Sequence, residues 1–334
     1  MKIMAVIATM IAVAWLAAPV EARAEVSELY IARQDGLIYL PLMVMEDQKL
    51  VEKHARAAGL GSLKVSNIQF AGSAAMSDAL LSGSAHVVSG GLHNQLVLWD
   101  KTKGGVIGFA GLAVHESYLL CTDPAVKSIR DLNEKHRIAV PSVKISPQAI
   151  QLQMAAAREW GMGNFGKLDA LTVSRAHPDA VTAMLSRGTE VNCYVSSPPY
   201  TERLLREKGI YKVASTSELT GVERESRGMI YAMLKFTKAN PQVTKALTQA
   251  LDEAHAFLKS DPRRAAETYI RVSRSKESVD VIHEIITKPD FQWSATPHGV
   301  MRNAEFLHKI GLMKTKPASL ADLFMPGTDI EGGD

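Results

Sequence analysis

The sequence predicts an α/β protein of two similar halves, each a mostly parallel sheet covered by helices. Three observations carry this. Strand, loop and helix patterns alternate at short intervals from Leu29 to Thr122, and the alternation repeats from Arg137 to Leu234. The chain after Asn240 is mainly helical. At 334 residues, 46% hydrophobic and 22% charged, it is long enough for two well-buried cores.

The elements follow in order. Leu29–Arg33 reads as a strand running into the turn Gln34-Asp35-Gly36, and Pro41 opens a helix to about Ala57. Lys64–Phe70 alternates as a strand. Ala71-Gly72-Ser73 caps a helix ending near Ser82-Gly83. Ala85–Ser89 is a strand, closed by Gly90-Gly91 and a helix to Lys101, and Val106–Ala110 and Tyr118–Thr122 are strands. In the second series Arg137–Val140 stops at Pro141, and Pro147 opens a helix to Trp160. Strands 170–174, 190–195, 211–214 and 229–234 follow, with helices over 178–186 and from Pro198-Pro199 to Lys208. Helices over 243–258, from Asp261-Pro262, over 278–286 and over 297–310 complete the chain, and the polar tail after Gly327 is expected to fray.

Residues 1–24 read as an address. Met1-Lys2 precedes an apolar run from Ile3 to Val20, and Ala22-Arg23-Ala24 is a small-x-small site with cleavage expected after Ala24. Cleavage takes out Lys2, Arg23 and Glu21, so the net charge falls from +3 to +2. No second apolar stretch approaches the length of a membrane span, so a periplasmic location is expected. The basic residues are scattered, which argues against a nucleic-acid partner.

Most chemical motifs are missing or misplaced. Gly161-Met162-Gly163-Asn164-Phe165-Gly166 spells G-x-G-x-x-G, but it follows a helix where a dinucleotide site needs a preceding strand. No histidine and cysteine set has zinc spacing, and neither a catalytic residue nor a cofactor is expected. Cys121 and Cys193 lie on predicted strands and read first as small buried hydrophobes, with a disulfide left open. What stands out is a set of helix starts after strands: Gly72-Ser73, Gly90-Gly91, Ser146-Pro147, His177-Pro178 and Ser197-Pro198-Pro199. Free N–H groups and the helix dipole make such ends attractive to anions and other acceptors. In open α/β sheets these loops gather at the carboxyl edge of the strands.

Four stretches carry a resemblance: Gly36 to Glu46, Asp78 to His86, the run from Asp123-Pro124 through Ser128-Ile129-Arg130-Asp131-Leu132 to Arg137-Ile138-Ala139-Val140-Pro141, and Met184 to Tyr200. In order and spacing the chain resembles the substrate-binding proteins of nitrate/sulfonate/taurine-type ABC importers, whose relatives bind thiamine-pyrimidine precursors. The resemblance covers roughly residues 27–325. His86 and Asn192 depart from it, standing where the family usually has Asp, and Leu132 to Arg137 departs from its Leu-Lys-Gly-Lys run.

The resemblance implies a two-lobed type II periplasmic binding protein fold. Lobe I would take residues 25–112 and 229–334, and lobe II residues 113–228. It implies a monomer that captures a small-molecule ligand between the lobes and delivers it to an ABC permease in the inner membrane. A receptor for a membrane sensor is the alternative. A pyrimidine-forming enzyme of the same fold would need a Cys-rich motif that two separated cysteines do not supply.

The candidate ligand-binding residues of the first lobe are Gln34, Asp35, Gly36, Tyr39, Gly72, Ser73, Gly91, His93 and Asn94. Those of the second are Ser142, Lys144, Ser146, His177, Ser196 and Ser197, with Trp293 as a stacking wall or a core residue. The set is poor in Arg, so an anion would rest on helix N–H groups with Lys144 as charge partner, whereas an inward Asp35 would favour an amine or heterocycle. Both ligand classes stay open: a sulfonate, nitrate or carboxylate anion, and a small aromatic or pyrimidine-like heterocycle.

Overall fold

The structure, a computed structural model, describes residues 25–188 and 190–334. The expected leader, residues 1–24, lies outside the described residues. Two five-stranded sheets organise the chain.

The first sheet has β1 (Glu28–Arg33), β2 (Lys64–Gln69), β3 (Val87–Gly90) and β4 (Val106–Gly111), joined late in the chain by β11 (Met229–Met233). Its order is β2-β1-β3-β11-β4. A short β5 (Ala113–Val114) leads to the second sheet, which holds β6 (Tyr118–Cys121), β7 (Ile138–Val140), β8 (Thr172–Ser174), β9 (Cys193–Val195) and β10 (Tyr211–Ser215). Its order is β10-β6-β9-β7-β8. β12 (Gln292–Trp293) pairs with β5 beside the crossing.

Each sheet has one strand opposed to the rest. β6 runs antiparallel to β9 and β10, and β11 runs antiparallel to β3 and β4. These are the first strands the chain lays down after each passage between sheets. The remaining direct pairings, β1 with β2 and β3, and β7 with β8 and β9, are parallel.

Helices cover both faces of each sheet, as parallel strands require. On one face of the first sheet, Leu29, Ile31 and Val87 pack with α1 (Leu40–Asp47), α2 (Leu50–Ala57), α10 (Pro241–Ser260), α11 (Pro262–Ser273) and α12 (Val279–Ile286). On the other, Ala32 and Val88 pack with α3 (Ser73–Ser82), α4 (Leu92–Lys101) and α13 (Val300–Lys309). The period-two alternation of each strand sorts its side chains between these cores. In the second sheet Ile138, Val140, Cys193 and Val195 face α5 (Pro147–Trp160) and α8 (Thr216–Thr220). Ala139 and Tyr194 face α6 (His177–Ser186) and α7 (Tyr200–Leu205). α9 (Leu234–Ala239) links β11 to α10.

Several expectations are corrected. The helix from Pro41 to Ala57 is two helices, because Lys49 takes a left-handed φ of 51° between them. The turn lets Leu50, Val51 and Ala55 reach the core that α1 also joins. Residues 162–171 form a 3-10 segment, so β8 begins only at Thr172. α7 starts at Tyr200, after Pro198-Pro199. The two short helices α8 and α9 had no separate sequence signal.

The tail is tied down. The N–H of Gly299 donates to the Asp334 carboxylate at 2.5 Å, and that of Val300 donates to the Asp334 main chain at 2.6 Å. The tail thereby satisfies the open N-terminus of α13. Cys121 and Cys193 face one another across β6 and β9 and form a disulfide, with Cα atoms 4.1 Å apart. The reading of both as simple buried hydrophobes misses this, because only the strand order makes them neighbours.

Among the described residues no helix is long and apolar enough to cross a membrane, and no three potential metal ligands cluster.

Candidate functional site

The carboxyl ends of strands from both sheets meet at one cavity. Its walls include Gln34 and Asp35 after β1, Ser73 at the start of α3, Gly91 before α4, Gln148 in the first turn of α5 and His177 opening α6. It is small, with a volume of about 30 Å³. That is room for a few waters or a ligand of similar size.

Four helices thus point their N-termini at one space. α5 is capped by Ser146, whose hydroxyl accepts from the N–H of Ala149. The other three begin at Gly72, Gly91 and Ala176, none of which supplies a side-chain cap. A helix leaves its first N–H groups without internal partners. The uncapped ends therefore present donors and partial positive charge to whatever fills the cavity.

Arg227 adds a full charge. Its Nε donates to the His115 carbonyl at 2.8 Å, Nη1 to Glu225 at 2.9 Å and Nη2 to the Thr216 hydroxyl at 2.6 Å. Guanidinium has five N–H groups, so these three bonds leave two over. Glu225 is the hub behind it: Gln151 donates to it at 3.0 Å and Asn303 at 3.4 Å. Burial alone would raise the Glu225 carboxyl, but Arg227, His93, Gln151 and Asn303 together hold it below the usual range. Both members of this pair are buried, so each depends on the other to offset desolvation.

Two histidines line the cavity. His115 Nδ1 lies 2.9 Å from the Glu116 carbonyl, which can only accept, so Nδ1 carries the proton. Its Nε2 is buried without a protein partner. Burial, with Arg227 nearby, pushes this imidazole down to about 3. His177 Nδ1 bonds the Tyr194 hydroxyl. Burial pushes His177 down to about 4, and its ring stacks on Tyr200 at 5.7 Å.

Of the sequence candidates, Gln34, Asp35, Tyr39, Ser73, Gly91, His177 and Ser197 line this cavity. Gly36, Gly72 and Ser142 stand where the lobes touch. The N–H of Leu37, beside Gly36, donates to the Pro198 carbonyl at 3.1 Å. A Cβ on Gly72 would lie 2.9 Å from both the Pro141 carbonyl oxygen and the Ser142 hydroxyl. Ser146 and Ser196 have their hydroxyls engaged, the latter with Tyr118 and Thr201.

Four candidates sit elsewhere. His93 bonds Asn303 at 2.6 Å and, with Asn94, lines a separate groove. Lys144 is exposed, and among the residues of the cavity wall Arg227 supplies the cation. Trp293 packs in the core, edge-on to Phe291 at 4.9 Å.

The sequence reading missed His115, Ser117, Gln148, Gln151 and Arg227. Gln148 and Gln151 lie one helical turn apart on a helix whose start was marked by Pro147, so they were within reach. His115 and Arg227 sit on the two crossings, where only the return of the chain brings them face to face.

No protein-family model matches the chain, and comparison with curated proteins gives no match. Solved structures do resemble it. A protein from Bordetella bronchiseptica RB50 shares 23% identity over 92% of this chain and 93% of its own, with a TM-score of 0.69. The alkanesulfonate-binding protein SsuA of Xanthomonas axonopodis pv. citri, bound to MOPS, shares 15% over 90% and 99%, at 0.66. The periplasmic nitrate-binding protein NrtA of Synechocystis shares 15% over 89% and 84%, at 0.67. The chain has the two-lobed fold of the periplasmic binding proteins.

Proposed function

We propose that this protein is a periplasmic solute-binding protein that captures a small ligand between its lobes and hands it to an ABC importer. Three uncapped helix N-termini and Arg227, drawn from both lobes onto one cavity, carry the reading. Such a site holds a ligand non-covalently, mainly by fixed N–H donors, and gains strength when closure excludes water. The domain division follows: residues 25–112 with 229–334 form one lobe, and 113–228 the other. The ligand-binding set comprises the seven sequence candidates in the wall together with His115, Gln151 and Arg227.

The donors of the cavity wall favour an oxyanion. Binding and release, not turnover, is the proposed activity, and both cysteines are tied in the disulfide. That bond also supports an oxidising compartment, in keeping with export through residues 1–24.

A thermal-shift screen with sulfonates, carboxylates, nitrate and pyrimidines tests the reading. A specific ligand at about 100 times its Kd adds about 2.7 kcal/mol to stability and raises the melting midpoint. Scattering is expected to show a more compact particle with that ligand. No shift with any class, together with turnover of any substrate, overturns the proposal.

A further inference from the structure

We infer that the tail of the chain positions the cation of the cleft: Asp334 holds the start of α13 against residues 224–226 and thereby fixes Arg227 in the cavity wall, so Asp334 and Asn303 are positioning residues for ligand binding. This rests on the solute-binding reading above and adds a control on its site. α8 ends at Thr220 and β11 begins at Met229, so Arg227 rides on the loop between them. A loop takes its position from what it touches. On one side the N–H of Arg227 donates to the Ala113 carbonyl at 2.9 Å. On the other side stands the start of α13. The N–H of Ser226 donates to the His298 carbonyl at 3.0 Å, and the N–H of His298 donates back to the Ser226 hydroxyl at 3.0 Å. Gly299 comes closer still, since a Cβ there would lie 2.9 Å from the Arg224 carbonyl oxygen and 3.3 Å from Glu225 Cα.

The first turn of α13 also reaches Glu225 itself. Asn303 is fully buried. Its Nδ2 donates to the Gly299 carbonyl at 2.6 Å and to Glu225 Oε2 at 3.4 Å. A carbonyl can only accept, so the amide orientation is fixed and Oδ1 accepts from His93 Nε2 at 2.6 Å. Glu225 Oε1 accepts from Arg227 at 2.9 Å and from Gln151 at 3.0 Å. Gly299 offers α13 no capping side chain. Its N–H goes to the Asp334 carboxylate at 2.5 Å, and those of Val300 and Met301 go to the Asp334 main-chain oxygen at 2.6 and 3.3 Å. A negative group there satisfies three open donors and meets the positive end of the helix. Releasing it loosens the seat of Ser226 and Glu225, and with it the direction of the guanidinium. A cation no longer held in one geometry costs ordering on binding.

The test compares Asp334→Ala, Asp334→Asn and a chain stopped after Gly332 with the parent. Asp261→Ala is the control, because it removes a cap from α11 in the same lobe, where Asp261 accepts from the Arg264 N–H at 3.1 Å. The first readout needs no ligand: the solvent exchange of the Arg227 Nε–H, which the His115 carbonyl accepts at 2.8 Å, followed by nuclear magnetic resonance on arginine-labelled protein. Its signal is assigned by its absence from Arg227→Lys. The second is calorimetric affinity for nitrate, ethanesulfonate and propionate. Asp334→Ala is expected to speed the exchange and weaken the tightest of these anions by about threefold or more, and the shortened chain more than that. Asp334→Asn keeps an oxygen for Gly299 and is expected to stay near the parent. Asp261→Ala is expected to lower the melting midpoint and change neither readout.

Asp334 is exposed, so its variants are expected to fold. If the shortened chain does not fold, Asp334→Ala alone decides. Unchanged exchange and affinity in the variants that fold overturn the inference and leave the solute-binding reading intact. Equal effects from Asp261→Ala also overturn it, because they would show general loosening of the lobe. If none of the three anions and no member of the wider screen binds the parent, the solute-binding reading falls, and the exchange of the Arg227 Nε–H alone decides whether Asp334 holds it.

Discussion

His115, His177 and His255 are buried, and burial disfavours the imidazolium in each. Their folded values fall to about 3, about 4 and about 4, against 6.5 for the free side chain. Between those limits the unfolded chain binds protons that the folded chain refuses. Stability is therefore fully present above about pH 6.5 and is lost as the pH falls towards 4. Each histidine contributes a slope of about 1.4 kcal/mol per pH unit across its window. His255 lies on α10, away from the ligand cavity, so His255→Gln isolates one of them. Urea midpoints between pH 4.5 and 7.5 are expected to vary less steeply in the variant; an unchanged slope refutes the assignment. At this scale the sequence was a poor guide. His177 stood out because it precedes Pro178 at a helix start, but His115 carried no local mark. A histidine's role depends on what its second nitrogen meets, and the partners here are a main-chain carbonyl and a phenol brought in by folding.

The elements show which local signals are strong. α5 was read at its observed limits, since Pro147 and Gly161 bracket it with a good start and stop. α10 and α11 likewise follow Asn240-Pro241 and Asp261-Pro262. The break at Lys49 was invisible because left-handed backbone at a lysine has no sequence signature and is imposed by packing of both helices on one core. The β6–β9 pair gives a prediction. Its disulfide closes a loop with a sequence separation of 72. Chain-entropy reasoning assigns such a cross-link about 4 kcal/mol. Adding a reductant, or Cys121→Ala with Cys193→Ala, is expected to lower the melting midpoint by several degrees while far-ultraviolet dichroism stays native. A midpoint insensitive to reduction would mean the link adds nothing to stability.

The molecule as a whole is two sheets with a shared cleft, and close approach of the lobes depends on glycine. A Cβ on Gly91 would lie 2.0 Å from Pro147 Cγ, across the junction of α4 and α5. Gly91→Ala must therefore move the two lobes apart or shift α5. It is expected to weaken ligand binding by about tenfold or more, about 1.4 kcal/mol, and scattering of the ligand-saturated variant should show a larger radius than the parent. Unchanged affinity and radius would show that this contact does not govern closure. The sequence by itself determined the alternation of strands and helices, the glycine, serine and proline turns before them, and so the kind of donor the site offers. Those features are local, set by backbone geometry within a few residues. Only the tertiary structure decided that Arg227 supplies the cation in the cavity wall, that Cys121 meets Cys193, that Asp334 closes α13, and that His115 and His177 border one cavity. Each of these joins segments far apart in the chain, so its energy exists only once the sheets are ordered and the crossings laid down.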